Sequence, residues 1–302
     1  STDRCLTVNT EKGTWYCHHC GITGGLKNHE PAEPREYPKI QKEYSKPKPP
    51  PETPLPENVL KWFEGRGISD ETLFKAKIAY GPVWMPGEDA EVNAIQFPYI
   101  DGEAVVNIKY RDGKKRFRMV KGAERVLYGL NNIAGAESVI WVEGEMDQLS
   151  MVEAGHPNTV SVPDGAPTPE TKNYSSKFTF LDAAGDRLKD VKRHYIAVDN
   201  DAPGVRLKME LVRRLGVEKC FVVDWPNGCK DANDTLVKFG PAEISRCMKD
   251  AKPVPVSGVF CVNDFCQEII DAWQYGYERG ESTGWDNVDE LYKVRVREWT
   301  VV

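Results

Sequence analysis

The sequence lacks three features that would each assign the protein to a particular class. Its 302 residues carry a net charge of −6, whereas a protein that simply coats nucleic acid is expected to be basic throughout. No apolar run approaches the length of a membrane span, so we expect no membrane partner. The start has no signal or transit peptide and no initiator Met, which indicates a processed or cut form.

The cysteines are too scattered for a disulfide scaffold. Of the eight, only Cys17 and Cys20 have CxxC spacing, and the others indicate reduced thiols. Residues 1–29 nevertheless have the pattern of a partial zinc ribbon, in which a hairpin leads into the Cys17–Cys20 knuckle. A tetrahedral Zn²⁺ site needs four ligands, usually from two knuckles, so this site is incomplete and the segment could be a remnant. The residues that could complete it are Cys5, His18 and His19.

A proline-rich stretch, residues 30–56, separates the hairpin from the next unit. Nine of the chain's 21 prolines lie there, and such a segment is extended and semi-rigid, as a linker requires. Residues 57–137 then predict a small α+β subdomain, with two short helices followed by strands. Asp112-Gly113 indicates a hairpin turn between the strand 104–111 and a returning strand 114–120.

This predicted hairpin carries the densest cluster of basic residues in the chain. Alternation along the returning strand would place Lys114, Arg116 and Arg118 on one face. The cluster is either a solvated strand face or a surface that binds phosphate groups. Its members are Lys109, Arg111, Lys114, Lys115, Arg116, Arg118 and Lys121.

Residues 138–250 alternate strands with helices, which predicts a parallel sheet with helices on both faces. The strand 138–142 runs into Glu143-Gly144, and the strand 194–198 runs into Asp199-Asn-Asp201. Because the chemistry of such sheets lies at the carboxyl ends of their strands, we expect these three carboxylates to converge. Converging carboxylates with room for phosphate oxygens suit Mg²⁺ or Mn²⁺. Asp-x-Asp alone could equally be a turn that caps the next helix.

Three motifs together resemble the Toprim domain, which bacterial-type primases and topoisomerases share. They are Glu143-Gly-Glu-Met-Asp147, Asp199-Asn-Asp201 and Lys230-Asp231-Ala-Asn233. Nearly the whole chain resembles the primase half of phage-type and Twinkle-like primase–helicases, most of all the plant organellar members. The resemblance implies synthesis of short RNA primers on single-stranded DNA from ribonucleoside triphosphates. It also implies a mitochondrial or chloroplast location, beside a replicative helicase and an organellar DNA polymerase.

The resemblance assigns a role to each candidate site residue. Glu143, Asp199 and Asp201 would hold Mg²⁺, with Glu143 alternatively acting as general base. Asp147 and Asp231 would support them, although Asp231 could instead only cap the following helix. The residues implied to bind nucleotide or DNA are Lys109, Arg111, Lys115, Arg116, Arg118 and Lys230, of which Lys109 and Arg111 match best. In the family a stretch like Leu127-Tyr-Gly-Leu130 follows this basic subdomain.

Residues 251–302 resemble the linker helix and first strand of the family's helicase domain. A helicase needs GxxxxGK[ST] after that strand, and the chain has no such motif, so helicase activity is not expected from these residues. A catalytically silent template-binding module and a Toprim nuclease stay open as alternatives. A topoisomerase would need a tyrosine nucleophile in a separate helical domain, for which the chain has no room.

Overall fold

The computed structural model describes residues 6–17, 22–25, 43–86, 89–168, 177–255, 262–276 and 280–291. The chain divides into two units, Ser1–Glu43 and Tyr44–Val302. In the first, three antiparallel strands pair in the order β1-β2-β3. They are β1 (Leu6–Asn9), β2 (Thr14–Cys17) and β3 (Thr23–Gly25).

This small sheet confirms the predicted hairpin, with Leu6 opposite Cys17. A side chain at Gly24 would lie 2.4 Å from the Trp15 ring, so the third strand needs a glycine where it crosses the indole. Cys5, His18, His19 and Cys20 lie outside the described residues, and the zinc site therefore remains a prediction.

The second unit begins with two helices and an antiparallel sheet. Ser69 accepts a hydrogen bond from the Thr72 backbone N–H at 3.3 Å and caps the second helix, as its sequence position predicts. The sheet has the order β4-β5-β6-β7. The elements are α1 (Glu57–Glu64), α2 (Asp70–Lys75), β4 (Ala79–Met85), β5 (Ala90–Asp101), β6 (Ala104–Asp112) and β7 (Phe117–Met119).

The returning strand is shorter than its sequence predicts. It covers only Phe117–Met119, because Asp112 draws the chain into a longer turn. The Asp112 carboxylate accepts hydrogen bonds from the backbone N–H groups of Lys114 and Arg116, both at 2.9 Å. The prediction that Lys114, Arg116 and Arg118 share one strand face was therefore wrong.

The parallel sheet follows in the order β12-β11-β10-β8-β9. The interior strand β8 lies between β10 and β9, and its residues Val139–Val142 are almost fully buried, as expected for a strand covered on both faces. Only the edge strand β12 is antiparallel to its neighbour. The strands are β8 (Ser138–Val142), β9 (Thr159–Ser161), β10 (Arg193–Ile196), β11 (Cys220–Val222) and β12 (Lys252–Pro253).

Helices connect the strands of this sheet, and further helices follow it along the chain. Between β8 and β9 lies α3 (Glu145–Glu153), and between β10 and β11 lies α6 (Ala202–Leu215). None of the helices within the described ranges is long and apolar enough to cross a membrane. The remaining helices are α4 (Phe180–Ala183), α5 (Gly185–Leu188), α7 (Ala232–Phe239), α8 (Pro241–Lys249), α9 (Cys266–Tyr275) and α10 (Asp286–Asp289).

One hydrophobic core connects the two sheets of this unit. Phe63 of α1, Phe97 of β5 and Trp141 of β8 belong to it and are almost fully buried. Glu153 at the end of α3 fastens α2 to the parallel sheet, because it accepts hydrogen bonds from the Ser69 backbone and hydroxyl at 3.1 and 2.8 Å. The start of α2 is therefore joined to the end of α3, the helix that follows β8.

Candidate active site

The two sheets enclose a cleft of about 850 Å³ at the carboxyl edge of the parallel sheet. Glu143 follows β8, and Asp199 and Asp201 follow β10. As the strand order predicts, Glu143 and Asp199 line the same cleft. The charged residues that line it are Lys109, Arg118, Lys121, Arg125, Glu143, Glu145, Asp147, Asp164, Asp199 and Lys230.

Lys230 bridges the two aspartates that follow β10. Its Nζ lies 2.8 Å from Asp199 Oδ2 and 3.1 Å from Asp201 Oδ2. The Asn200 backbone N–H donates to the Lys230 carbonyl at 2.8 Å, which ties this turn to the loop before α7. The motifs that hold Asp199 and Lys230 are therefore joined through both backbone and side chains.

Asp201 also caps α6, as its pattern alone would allow. Its Oδ1 accepts a hydrogen bond from the Gly204 N–H at 2.9 Å. Burial works to raise the pKa of Asp201, but this hydrogen bond and the Lys230 ammonium outweigh it, and the pKa is lowered. A side chain at Gly204 would lie 2.0 Å from the Asp199 carbonyl oxygen, so only glycine lets α6 begin this close to the site.

Glu143 has an unused oxygen. Its Oε1 accepts a hydrogen bond from the Ala166 backbone N–H at 3.3 Å, whereas Oε2 is buried and has no hydrogen-bond partner among the residues that the structure describes. Burial and the nearby charge of Asp199 raise the pKa of Glu143 to about 7. Burial also raises the pKa of Asp199. In both groups burial is the largest cause, and neighbouring carboxylates add to the rise in pKa.

Glu143 should make the metal-free chain less stable as the pH rises. Its folded pKa of about 7 lies above the ordinary value of 4.5, so the folded chain keeps a proton that the unfolded chain loses. The stabilisation that this bound proton gives the folded chain is complete below pH 4.5, and it is lost as the pH rises through 7. Urea titrations between about pH 5 and 8 should show a shallower decline for Glu143→Gln than for the wild type. Parallel declines would contradict the assignment.

Asp147 and Asp231 are the two further acidic candidates, and Asp147 lines the same cleft. Asp147 is buried in α3 and accepts a hydrogen bond from the Asn233 N–H at 3.2 Å. Burial and the charge of Asp231 raise its pKa well above the usual range. Asp231 caps α7 by accepting from the Asp234 N–H at 2.7 Å, so the cap anticipated as an alternative is present. Whether Asp231 also supports a metal stays a prediction.

Lys109 faces the cleft but is fully engaged by the protein. Its ammonium contacts Glu145 Oε1 at 2.8 Å, Glu145 Oε2 at 3.1 Å and the Pro163 carbonyl at 3.1 Å. Glu145 is buried and also accepts a hydrogen bond from the Tyr99 hydroxyl. Glu145 and Tyr99 were not among the predicted site residues, although Glu145 lies only two residues after Glu143 in the same motif.

The other basic candidates divide into two groups. Arg118 and Lys230 line the cleft, whereas Arg111, Lys115 and Arg116 do not. Arg111 is buried, with its guanidinium 4.6 Å from the centroid of the Trp62 ring. Arg116 donates to Asp112 Oδ2 at 2.7 Å through Nε, and Lys115 is exposed in the turn. Their roles in nucleotide binding stay predictions.

Two further cations at the cleft were not among the predicted site residues. Lys121 had been placed only in the basic cluster, and Arg125 had not been considered. Arg125 forms an ion pair with Asp164 of the loop after β9, and this pairing depends on the docking of the two sheets. A sequence signal existed for Lys121, which follows the hairpin, but none existed for Arg125.

The oxygen atoms at this edge fit a hard divalent cation. Glu143 offers a buried oxygen without a partner, and Asp199 and Asp201 each direct one oxygen to the same ammonium group. Such a donor set suits Mg²⁺, which prefers a few carboxylates and keeps room for phosphate oxygens. In the conformation described, the residues between 6 and 291 that the structure covers form no ready group of three metal-binding side chains.

Comparisons with known proteins find relatives with the predicted kind of domain. A family model described as Toprim-like matches residues 140–236. The Twinkle homolog protein, chloroplastic/mitochondrial, of Arabidopsis thaliana is 37% identical over 319 residues, covering 98% of this chain and 43% of that protein. The Primase homolog protein of the same plant is 37% identical over 214 residues, covering 67% of this chain and 62% of that protein. The chain thus spans about half the length of these relatives.

Solved structures show the same fold. The primase fragment of the bacteriophage T7 primase-helicase protein superposes with a TM-score of 0.51 at 23% identity, covering 78% of this chain and 90% of that one. The zinc-binding and RNA polymerase domains of the Aquifex aeolicus primase give 0.50 at 16% identity, covering 82% and 75%. The predicted α/β class with a Toprim-type parallel sheet is therefore confirmed.

Proposed function

We propose that this chain, which has a Toprim-like domain and resembles Twinkle-like primases, synthesises short RNA primers on single-stranded DNA. The observation that carries this proposal is the cleft itself. Glu143 and Asp199 line one wall, and Lys109, Arg118 and Lys121 of the antiparallel sheet and its turn line the other. Acidic groups facing basic groups suit a substrate that brings both a cation and phosphates.

The proposed reaction is nucleotidyl transfer between two ribonucleoside triphosphates paired to a template. The 3′-hydroxyl of one attacks the α-phosphate of the next, a phosphodiester bond forms, and pyrophosphate leaves. Glu143 is suited to accept the hydroxyl proton, because its Oε2 is unpartnered and its pKa is raised to about 7 by burial and by Asp199. Asp199 and Asp201 would hold Mg²⁺ or Mn²⁺, which neutralises developing phosphate charge when bound. The alternative role of Glu143 is as a third ligand of this ion.

The basic residues of the cleft would place the triphosphate. Arg118, Lys121 and Lys230 line it, and we assign phosphate contacts to them. Lys109 is the candidate with the least freedom, since its ammonium already has three acceptors within 3.1 Å. The loop it binds at Pro163 leads to Ala166, whose N–H holds Glu143. Lys109 would therefore position the general base as much as bind phosphate.

The organelle and the partner proteins of this activity are also proposed. The names of the relatives place the Twinkle homolog in chloroplasts and mitochondria, and we propose the same organelles for this chain. A replicative helicase and an organellar DNA polymerase would then be its partners. Because the chain has no GxxxxGK[ST] motif, unwinding would have to come from residues outside it. A Zn²⁺ ion at Cys17 and Cys20 would need further ligands.

A catalytically silent, template-binding module is the alternative that one observation favours. Lys230 neutralises Asp199 and Asp201 without any metal, as a site that had lost catalysis could also do. This alternative predicts binding of single-stranded DNA without synthesis. A Toprim nuclease would instead cut the template.

A single incubation separates these functions. The chain is mixed with single-stranded DNA of mixed sequence, labelled ribonucleoside triphosphates and Mg²⁺, and the products are resolved on a denaturing gel. Short RNA products that require Mg²⁺ and template are expected. Template binding without products would favour the silent module, and shortened template strands would favour the nuclease.

A further inference from the structure

We propose that Lys230 is a resident counter-cation of the acidic site, which a divalent ion must displace in order to bind Asp199 and Asp201. The ammonium group and the metal would then be alternative occupants of one position. This inference rests on the proposed function, because the ion is the one that nucleotidyl transfer needs. It concerns metal affinity, and it can be tested without any primer synthesis.

The geometry puts the ammonium where a shared cation would lie. Lys230 Nζ lies 2.8 Å from Asp199 Oδ2 and 3.1 Å from Asp201 Oδ2. Asp201 is not free to present another oxygen, since its Oδ1 is held by the Gly204 N–H at the start of α6. The Asp201 oxygen that remains for a metal is therefore the one that Lys230 contacts, and the same ammonium contacts Asp199 Oδ2.

The charge of the site explains why a counter-cation is useful. Glu143, Asp147 and Asp199 line the same cleft, and Asp231 follows Lys230 directly at the start of α7. Both ion pairs that the described part of the chain gives Asp199 and Asp201 are made by Lys230. Without it, the metal-free protein would hold these carboxylates together with no cation between them, at a cost in repulsion.

The side chain of Lys230 is also free to move away from the two aspartates. Its backbone is anchored by the Asn200 N–H at its carbonyl oxygen, 2.8 Å away, but its side chain is 51% exposed. Lys109, with a side chain 13% exposed, is held on three sides. Because the backbone of Lys230 is anchored and its four-carbon side chain is flexible, its ammonium group can turn outward at little cost in free energy. Since Lys230 lines the cleft, its released ammonium would remain within reach of incoming phosphates.

Two consequences follow for the loaded site. Metal binding would be weaker than the carboxylates alone would allow, because the ion must break two ion pairs. Entry of the ion would at the same time free a cation for phosphate, so that metal and triphosphate binding would favour each other. A spectator lysine predicts neither effect.

The first test measures Mn²⁺ binding to the whole chain by calorimetry or electron paramagnetic resonance, without nucleotide. Lys230→Met should bind Mn²⁺ about three- to tenfold more tightly than the wild type, because exposed ion pairs of this kind are individually weak. Lys230→Arg keeps the positive charge and should stay near the wild type. The matched control is Lys252→Met, which removes an exposed lysine paired with Asp224 and should change nothing. Equal or weaker binding by Lys230→Met would overturn the proposal.

The second test uses the wild type, so it does not depend on a variant that folds. An amine-acylating reagent followed by peptide mass mapping reports how reactive each lysine is. Lys230 should react more slowly than Lys252 in the metal-free chain and should gain at least severalfold in reactivity when Mn²⁺ is added. No gain would overturn displacement. Displacement in a chain that makes no primers would preserve this inference and contradict only the proposed function.

Discussion

Asp199→Asn should lower primer synthesis by roughly a thousandfold, the scale of losing a main electrostatic group of an active site. The amide has the shape of the carboxylate but not its charge, and Asp199 is the buried member of the pair that contacts Lys230. Initial rates of labelled primer formation at saturating nucleotide would measure the loss. Because burial and neighbouring carboxylates raise the pKa of Asp199, the variant should unfold at an equal or higher urea concentration.

The matched control for this variant is Asp190→Asn. Asp190 is an exposed aspartate before β10, so its replacement should leave both primer synthesis and stability unchanged. If Asp199→Asn kept more than about one-tenth of the wild-type rate, the loss would be too small for a main electrostatic group. The acidic edge would then not be the reaction centre.

Lys109→Met should lower the free energy of unfolding by about 3 kcal/mol, because it leaves Glu145 buried without its cation. Glu145 is 4% exposed, and the Tyr99 hydroxyl would be its one remaining side-chain partner of those described. The double variant Lys109→Met with Glu145→Gln should recover much of the loss, since the neutral amide can still accept from Tyr99. Urea denaturation of the two single variants and the double variant would measure the coupling energy.

An exposed ion pair of the same residue types provides the comparison. Lys61 contacts Glu57 at 2.6 Å, but their side chains are 68% and 81% exposed. Lys61→Met should therefore change the free energy of unfolding by less than about 0.5 kcal/mol. A similar small change for Lys109→Met would show that Lys109 does not hold the two sheets together.

The acidic edge could be predicted from sequence because its signals are local. Four buried residues lead into Glu143, and the strand ends where the chain turns polar, so β8 was predicted with the bounds that it has in the structure. A parallel sheet then brings successive strand ends together. Asp199 and Asp201 follow β10 by the same logic, although β10 ends at Ile196 rather than at the predicted residue 198.

The contacts between the sheets could not be predicted in the same way. Lys109 and Glu145 lie 36 residues apart on different sheets, and nothing in either local pattern requires them to meet. Arg111 was expected to bind nucleotide together with Lys109, but its guanidinium stacks on the Trp62 ring of α1 instead. Both outcomes depend on how the subdomains dock, which the shape of the shared hydrophobic core decides.

The hairpin shows how one side chain overrides a periodic pattern. Asp112-Gly113 was recognised as a turn, but the turn continues to Arg116 because Asp112 binds its backbone and side chain. Lys115 then adopts a φ of 62°, which an extended strand does not allow. Arg118 still lines the cleft, but it does so from a three-residue strand.

Both borders of the parallel sheet are closed to further strands. On one side, β12 has only two residues, and its Pro253 has no N–H to donate. On the other, Tyr128 exchanges two backbone hydrogen bonds of 3.1 Å with Ser161 of β9. A second polypeptide therefore gains little by extending this sheet, which also guards against aggregation. Binding of a partner protein should therefore depend on helices, loops and side chains rather than on β-augmentation.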